Sequence, residues 1–409
     1  MEQLVNKYSY KLVQAKLGDI SGPLQPLIGG LDDTLVWNRR ANEIPVLEKV
    51  FKGLNINSLV FLRPKEPYGS LIRFLAKNAL KSFGMIQPKD CETRTFLHDL
   101  PVISQFCPDQ IIHTLKKRKS VIIAPQKNNK DFQGPAIIAH GSVSPEQGFI
   151  TISSVCFASF VKFFTDYLQA LQLGIATPDE HDVFDSIVPL LEPIQKSPSK
   201  FIPSPFSNEE IVYSAIIEAG KKIVEYGLVD SFFGNVSFFW NKTLYISQTG
   251  SSLDELSGCI DPIPMDCSTS AGITASSELS AHLETISVTG CKAILHGHPR
   301  FCVILSMDCD PKKKAVCNFK KQCHIKCPEK RFVEHTPIVP GEVGTGPFGL
   351  CNTLPSALTQ TNSAIVYGHG LFTIGKNNFS QAFQTMQEIE NLCYSTYCKK
   401  VRLLRNMTS

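Results

Sequence analysis

AILHGHP, residues 293–299, sets two histidines directly behind a short apolar run. Ala293, Ile294 and Leu295 read as a buried strand. Side chains two apart on an extended segment point to the same face, so His296 and His298 can reach one ion. A second apolar run, Ala364 to Tyr367, delivers His369, and Gly368 and Gly370 let the backbone bend tightly around it. Three imidazoles at strand ends suit zinc or another borderline divalent metal. A His-x-His pair alone carries little weight, because that spacing arises often by chance; the surroundings decide.

Working outward, Ser207 reads as the N-cap of a helix with Glu209 and Glu210 in its positive first turn. Val212, Ala215, Ile216, Ala219 and Ile223 form its apolar stripe, and Gly227 offers a left-handed stop. FGNVSFF (233–239) and TLYISQTG (243–250) read as two strands of a hairpin turning at Asn241 and Lys242. A helix from about Glu278 to Val288 precedes the first histidine strand, and a long helix from about Ser380 to Lys399 closes the chain. No internal repeat is visible.

GNVS (234–237), SQTG (247–250), SSE (276–278), HGHP (296–299) and YGHG (367–370) with its following FTIG, in this order, resemble the class II aldolase/adducin family over about Asn208 to Tyr397. Individually the segments have plainer readings. Ser276-Ser277-Glu278 can be an N-cap with a first-turn acid, Thr249-Gly250 a turn, and GNVS a bulged strand start. The resemblance implies an α/β/α layered domain with a central, mostly antiparallel sheet. It implies that His296, His298 and His369 ligate Zn2+ or another divalent metal, with Glu278 as resting ligand or acid/base. It implies a phosphate pocket at Gly234-Asn235, Thr249-Gly250 and Ser276-Ser277. Backbone amides, hydroxyls and an Asn amide are suitable donors there, and the serines lie near a helix start where an anion is favoured.

The implied function is a metal-dependent sugar-phosphate aldolase, cleaving a ketose phosphate reversibly through a metal-stabilised enediolate. A pentulose-phosphate 4-epimerase or a dehydratase of the same family is the near alternative, and a non-catalytic adducin-like interaction module the distant one. The family also implies a homo-oligomer, a tetramer by resemblance, and a proton donor for the far end of the substrate. Tyr394 and Tyr397 are candidates for that donor, with packing as their plainer role. Two departures stand out: VDSFF (229–233) precedes GNVS where relatives carry small or polar residues, and Gly368 stands where asparagine is common.

The chain has 409 residues with a net charge of +4, 43% apolar and 19% charged residues, enough for two or three domains and without the basic bias of a nucleic-acid binder. No unbroken run of about 18 apolar residues implies a membrane span. The opening MEQLVNKYSYKLVQ lacks an apolar signal core, so the protein is read as cytoplasmic and its 14 cysteines as thiols. EPIQKSPSKFIPSPFS (192–207) reads as a Pro/Ser-rich linker, 193–207. It separates a mixed α/β domain of unknown role, 1–192, from the aldolase-like domain, 208–409. In the first, Ser58–Leu62, Ser120–Ala124 and Ala136–Ala139 read as buried strands and Ser70–Phe83 as a helix. His140 and the group Arg94, His98 and Asp99 could be functional or structural. A Cys-rich insertion at about 307–330 carries Cys309, Cys317, Cys323 and Cys327 near His324, either a second metal site or a solvated loop with incidental thiols.

Overall fold

A computed structural model describes residues 1–124, 134–195, 200–229, 232–266, 268–320, 322–342 and 344–408. The chain divides into two compact units, Met1–Tyr167 with Ala176–Glu192, and Leu168–Ile175 with Pro193–Ser409.

The first unit is built on a seven-stranded sheet of β1 (Leu27–Leu31), β2 (Leu35–Trp37), β3 (Ser58–Leu62), β4 (Met85–Ile86), β5 (Leu100–Ile103), β6 (Ser120–Ile123) and β7 (Ala136–Gly141), in the order β2-β1-β3-β7-β6-β5-β4. Among the described residues only the β5–β6 pairing is parallel. Its helices are α1 (Glu2–Gln14), α2 (Ile44–Gly53), α3 (Tyr68–Leu80), α4 (Cys91–Leu97), α5 (Pro108–Leu115), α6 (Pro145–Leu173) and α7 (Pro178–Ile187). Leu59 and Phe61 of β3 pack with Leu47, Val50 and Phe51 of α2 and with Ile111 and Leu115 of α5. The alternate side chains Val60 and Leu62 are equally buried, and Val60 lies against Gly148 of α6. Burial on both faces explains why SLVFL, SVII and AIIA are unbroken apolar runs rather than alternating ones.

Helix α6 is long and apolar enough to cross a membrane by length and composition, and 83% of its most apolar window is buried inside the protein. The sequence shows no unbroken apolar run there because Thr151, Ser153, Ser154, Ser159 and Lys162 interrupt it. Ser154 and Ser159 return their hydroxyls to the helix carbonyls of Ile150 and Val155, which lets polar side chains sit in a buried helix. Asp99, from the ambiguous ETRTFLHD group, is held by both Nε and Nη2 of Arg118 at 2.7 Å, a structural ion pair on the connection into β5. His98 closes α4 with a φ of +63°, and burial lowers the pKa of His140 at the end of β7.

The second unit opens with α8 (Glu209–Glu225), whose cap is Asn208 rather than Ser207: Asn208 Oδ1 accepts from the Ile211 amide at 3.0 Å. Either side chain can cap; the helical turn begins at Glu209, which leaves Asn208 as the extended residue whose side chain reaches the third amide. The sheet has eight strands, β8 (Asn235–Trp240), β9 (Thr243–Ser247), β10 (Ile260–Pro264), β11 (Ala293–Gly297), β12 (Arg331–Val333), β13 (Thr336–Val339), β14 (Ser363–Val366) and β15 (Gly370–Gly375). Their order is β10-β9-β8-β11-β15-β14-β13-β12, antiparallel except for β13 beside β14. The β8–β9 hairpin turns on Asn241 and Lys242 with φ of +46° and +61°, the left-handed pair that matches strand twist.

Helices α9 (Leu279–Thr289), α10 (Arg300–Ser306), α11 (Pro311–Val316), α12 (Leu350–Leu358) and α13 (Phe379–Thr408) complete the unit. Ala281 and Ile286 of α9 and Leu350 and Leu354 of α12 pack on one sheet face with Leu244, Ile246, Ile294 and Phe372. Helices α8 and α13 lie on the other, where Phe238 meets Phe379. Two helical layers thus enclose a mostly antiparallel sheet, and β11, carrying the first histidine, runs through its middle.

Candidate metal centre

The register of the central strands builds the site. Asn235 of β8 pairs with His296 of β11, and His296 pairs with Phe372 of β15, so the three side chains form one row. Ile294, two residues before His296, belongs to the core under α9, so the row faces α9. His298 lies two residues further, just past the strand. His369 arrives from the β14–β15 turn, where Gly368 has a φ of +59° and the His369 amide donates to Val366 O at 3.1 Å. Asparagine also tolerates that conformation, so glycine at 368 leaves the turn unchanged.

The three rings meet at their Nε2 atoms. His298 Nε2 lies 3.1 Å and His369 Nε2 3.3 Å from His296 Nε2. All three residues are buried, at 1%, 5% and 6% exposure. His296 Nδ1 lies 3.2 Å from the carbonyl oxygen of Leu371, which can only accept, so Nδ1 carries the proton and Nε2 presents a lone pair. Burial, reinforced by the neighbouring His296 and His369, pushes the His298 pKa well down, which keeps that ring in the neutral, ligating form. Phe372 stacks on His296 at 4.0 Å and Phe233 on His298 at 5.7 Å, fixing both ring planes.

The acid completes the cluster. Glu278, 3% exposed, stands at the N-cap position of α9 and places Oε2 3.5 Å from His296 Nε2 and Oε1 3.4 Å from His369 Nε2. Asn235 Nδ2 donates to Oε2 at 2.6 Å. Lone pairs converging with a carboxylate are repulsive unless something positive lies among them. Ligand nitrogens around a tetrahedral zinc lie about 3.3 Å apart, matching the spacing of this cluster, so the donor set fits a divalent cation. Among the described residues, these histidines are the one group of three or more such side chains with ligand atoms all within 4.8 Å. Cys309, Cys317, Cys323 and Cys327 are half-buried free thiols that do not join such a group.

Close approach fixes Gly370. A β-carbon there would lie 2.7 Å from His296 Cε1, 2.7 Å from His298 Cδ2 and 2.4 Å from Gly297 O. Gly370→Ala is therefore expected to push the two rings apart and weaken zinc binding at least about tenfold, read by competition against a chromophoric chelator.

The residues read as phosphate-binding divide into two groups. Thr249 Oγ1 donates to Ala275 O and accepts from the Ser277 amide, both at 3.0 Å, so the SQTG and SSE segments lie side by side. Thr249, Gly250 and Ser277 are exposed, whereas Ser276 is buried and its Oγ accepts from the Glu278 amide. Gly234 and Asn235 stand apart from them, against His296: a β-carbon on Gly234 would meet the His296 carbonyl oxygen at 2.4 Å, and the Asn235 amide is turned to Glu278. Of VDSFF, Asp230 and Ser231 lie outside the described residues, and Phe233 is the ring on His298. Tyr394 and Tyr397 both pack against Phe301 of α10, at 4.9 and 5.4 Å, and Tyr397 is fully buried.

Glu390, an acid within the long amphipathic α13, carries no signal in sequence. Its two oxygens accept from the Phe301 and Cys302 amides, each at 3.0 Å, capping α10 directly after the HGHP segment. Burial raises its pKa from 4.5 to about 7, against the opposing amide bonds. The folded state therefore holds a proton that the unfolded chain releases near 4.5, and the stability associated with it is lost as pH rises through about 7. Relative to Glu390→Gln, which stays neutral, wild-type stability should fall by up to about 3 kcal/mol between about pH 4.5 and 8. Urea unfolding of both proteins at the two ends checks this; parallel pH dependence would refute it.

Residues 214–397 match the family model described as the Class II Aldolase and Adducin N-terminal domain. No curated protein matches the chain. Among solved structures, an L-fuculose-1-phosphate aldolase from Thermus thermophilus is 20% identical, with 46% of this chain and 95% of that one covered at a TM-score of 0.37. A sugar-phosphate aldolase from Thermotoga maritima is 17% identical, with 49% and 99% covered at 0.35. The N-terminal class II aldolase domain of a conserved Thermoplasma acidophilum protein is 13% identical, with 48% and 97% covered at 0.33.

Proposed function

We propose, from the premise that residues 214–397 form a class II aldolase/adducin domain, that this half of the chain is a metal-dependent lyase acting on a ketose phosphate. The observation that carries the reading is the convergence of the His296, His298 and His369 Nε2 atoms beside the buried carboxylate of Glu278. A divalent cation held by the three imidazoles, zinc first among the candidates, supplies Lewis acidity toward a carbonyl oxygen.

The chain's own residues do the remainder. The Leu371 carbonyl holds the His296 ring and its tautomer, so the ligand nitrogen does not swing. Glu278, fixed by Asn235, takes a proton from the substrate hydroxyl or carbon beside the carbonyl and returns it. Phe233 and Phe372 keep water from the backs of two ligand rings. The exposed edge formed by Thr249, Gly250 and Ser277, with Ser276 beneath and α9 starting beside it, is assigned to the phosphate, with Gly234 and Asn235 bounding the other side.

The test loads the full chain with zinc and offers a panel of phosphorylated pentuloses and hexuloses. Release of an aldehyde, abolished by chelator and restored by zinc, is the expected result. Epimerised or dehydrated product instead would keep the proton chemistry and replace carbon–carbon cleavage. Zinc-loaded protein that alters no ketose phosphate would sink the enzyme reading in favour of an interaction module.

A further inference from the structure

Behind the carboxylate lies a second hydrogen bond parallel to the first. Ser237 follows Asn235 by two on β8, and His282 follows Glu278 by four on α9, so each pair shares a face. Asn235 donates to Glu278 at 2.6 Å, and Ser237 Oγ bonds His282 Nδ1 at 2.7 Å. Ser237 and His282 are both fully buried, at 0% exposure. The His282 ring stands edge-on to Phe372 at 5.9 Å, and Phe372 is the ring stacked on His296. Among the described residues His282 Nε2 has no hydrogen-bond partner.

An imidazole with an orphan buried nitrogen is a poor space-filler, since leucine or phenylalanine would fill the same volume without stranding a polar atom. What the aliphatic or phenyl side chain lacks is the bond to Ser237. Apolar packing of Ala281 and Ile286 holds α9 on the sheet without a fixed direction, whereas two hydrogen bonds a turn apart add a directional restraint on its rotation over β8.

We propose that His282, held by Ser237, is a positioning residue. It sets the rotation of α9 that brings Glu278 to the three histidines, and it backs His296 through Phe372. The proposal deepens the metal-dependent reading above and rests on it for its purpose, not for its geometry. Burial, with a smaller contribution from His296, pushes the His282 pKa down to about 3, so the ring is neutral and acts through geometry rather than proton transfer.

Crystal structures of the metal-free full chain carrying Ser237→Ala, His282→Phe or His282→Asn test it, beside cobalt binding to each. Ser237→Ala and His282→Phe should lose the Asn235–Glu278 bond, with the carboxylate drawn away from His296 and His369. His282→Asn, whose amide reaches the place of Nδ1, should keep the wild-type arrangement. If His282→Phe fails to fold, Ser237→Ala carries the comparison alone. Glu278 at wild-type distances in Ser237→Ala would overturn the proposal and leave the pair as packing. Failure of the wild-type chain to bind cobalt would instead strike the metal-dependent reading, while the crystal comparison still decides the positioning role.

Discussion

The double variant His296→Ala, His298→Ala is expected to purify without metal, where the unaltered chain carries about one divalent ion. The two histidines contribute two of three converging nitrogens, and the third, on the β14–β15 turn, cannot hold a borderline ion alone. Metal that binds only the folded state also stabilises it, by about 4 kcal/mol at a thousandfold excess over Kd. Chelator should therefore lower the melting temperature of the wild-type protein and leave the double variant unmoved. Elemental analysis and melting curves with and without chelator read both effects. Metal retained by the variant would move attention to the Cys309–Cys327 segment, and no metal in either protein, after reconstitution, would end the metal-centred account.

The candidate cluster is legible where it lies in local sequence. His296 and His298 follow from strand periodicity, and His369 from a second strand end flanked by glycines. What could not be read is cross-strand register: nothing in the sequence says that Asn235, His296 and Phe372 stand in one row, because that depends on pairings between segments 61 and 76 residues apart in the chain. For the same reason His282 is unremarkable in sequence, and Phe233 and Phe372, though they stand within VDSFF and FTIG, are informative only once their rings are placed. The fold of the C-terminal half is similarly accessible through the hairpin at Asn241-Lys242 and the amphipathic α8, whose cap is Asn208 where the sequence suggests Ser207. The buried strands of the N-terminal half were visible as apolar runs. Its sheet order was not, since β3 pairs with β7 across about 75 intervening residues.

Glu278→Gln separates binding from chemistry. Glutamine is nearly isosteric and its carbonyl can still accept from Asn235 Nδ2, so α9 and the three histidines should stay in place. The imidazoles alone supply three ligands, so the variant should keep its metal. What glutamine cannot do is accept and return a proton, and loss of a positioned general base lowers turnover by about 10²- to 10⁴-fold. The expected result is metal content near that of the wild type, kcat reduced by that factor on whichever ketose phosphate proves active, and KM changed little. A change confined to KM would assign Glu278 to substrate binding. Loss of metal together with activity would make it a fourth ligand, a role its 3.4 and 3.5 Å separations from two ligand nitrogens also permit. Undiminished turnover would remove it from the chemistry and send the search for the base to other residues near the three histidines.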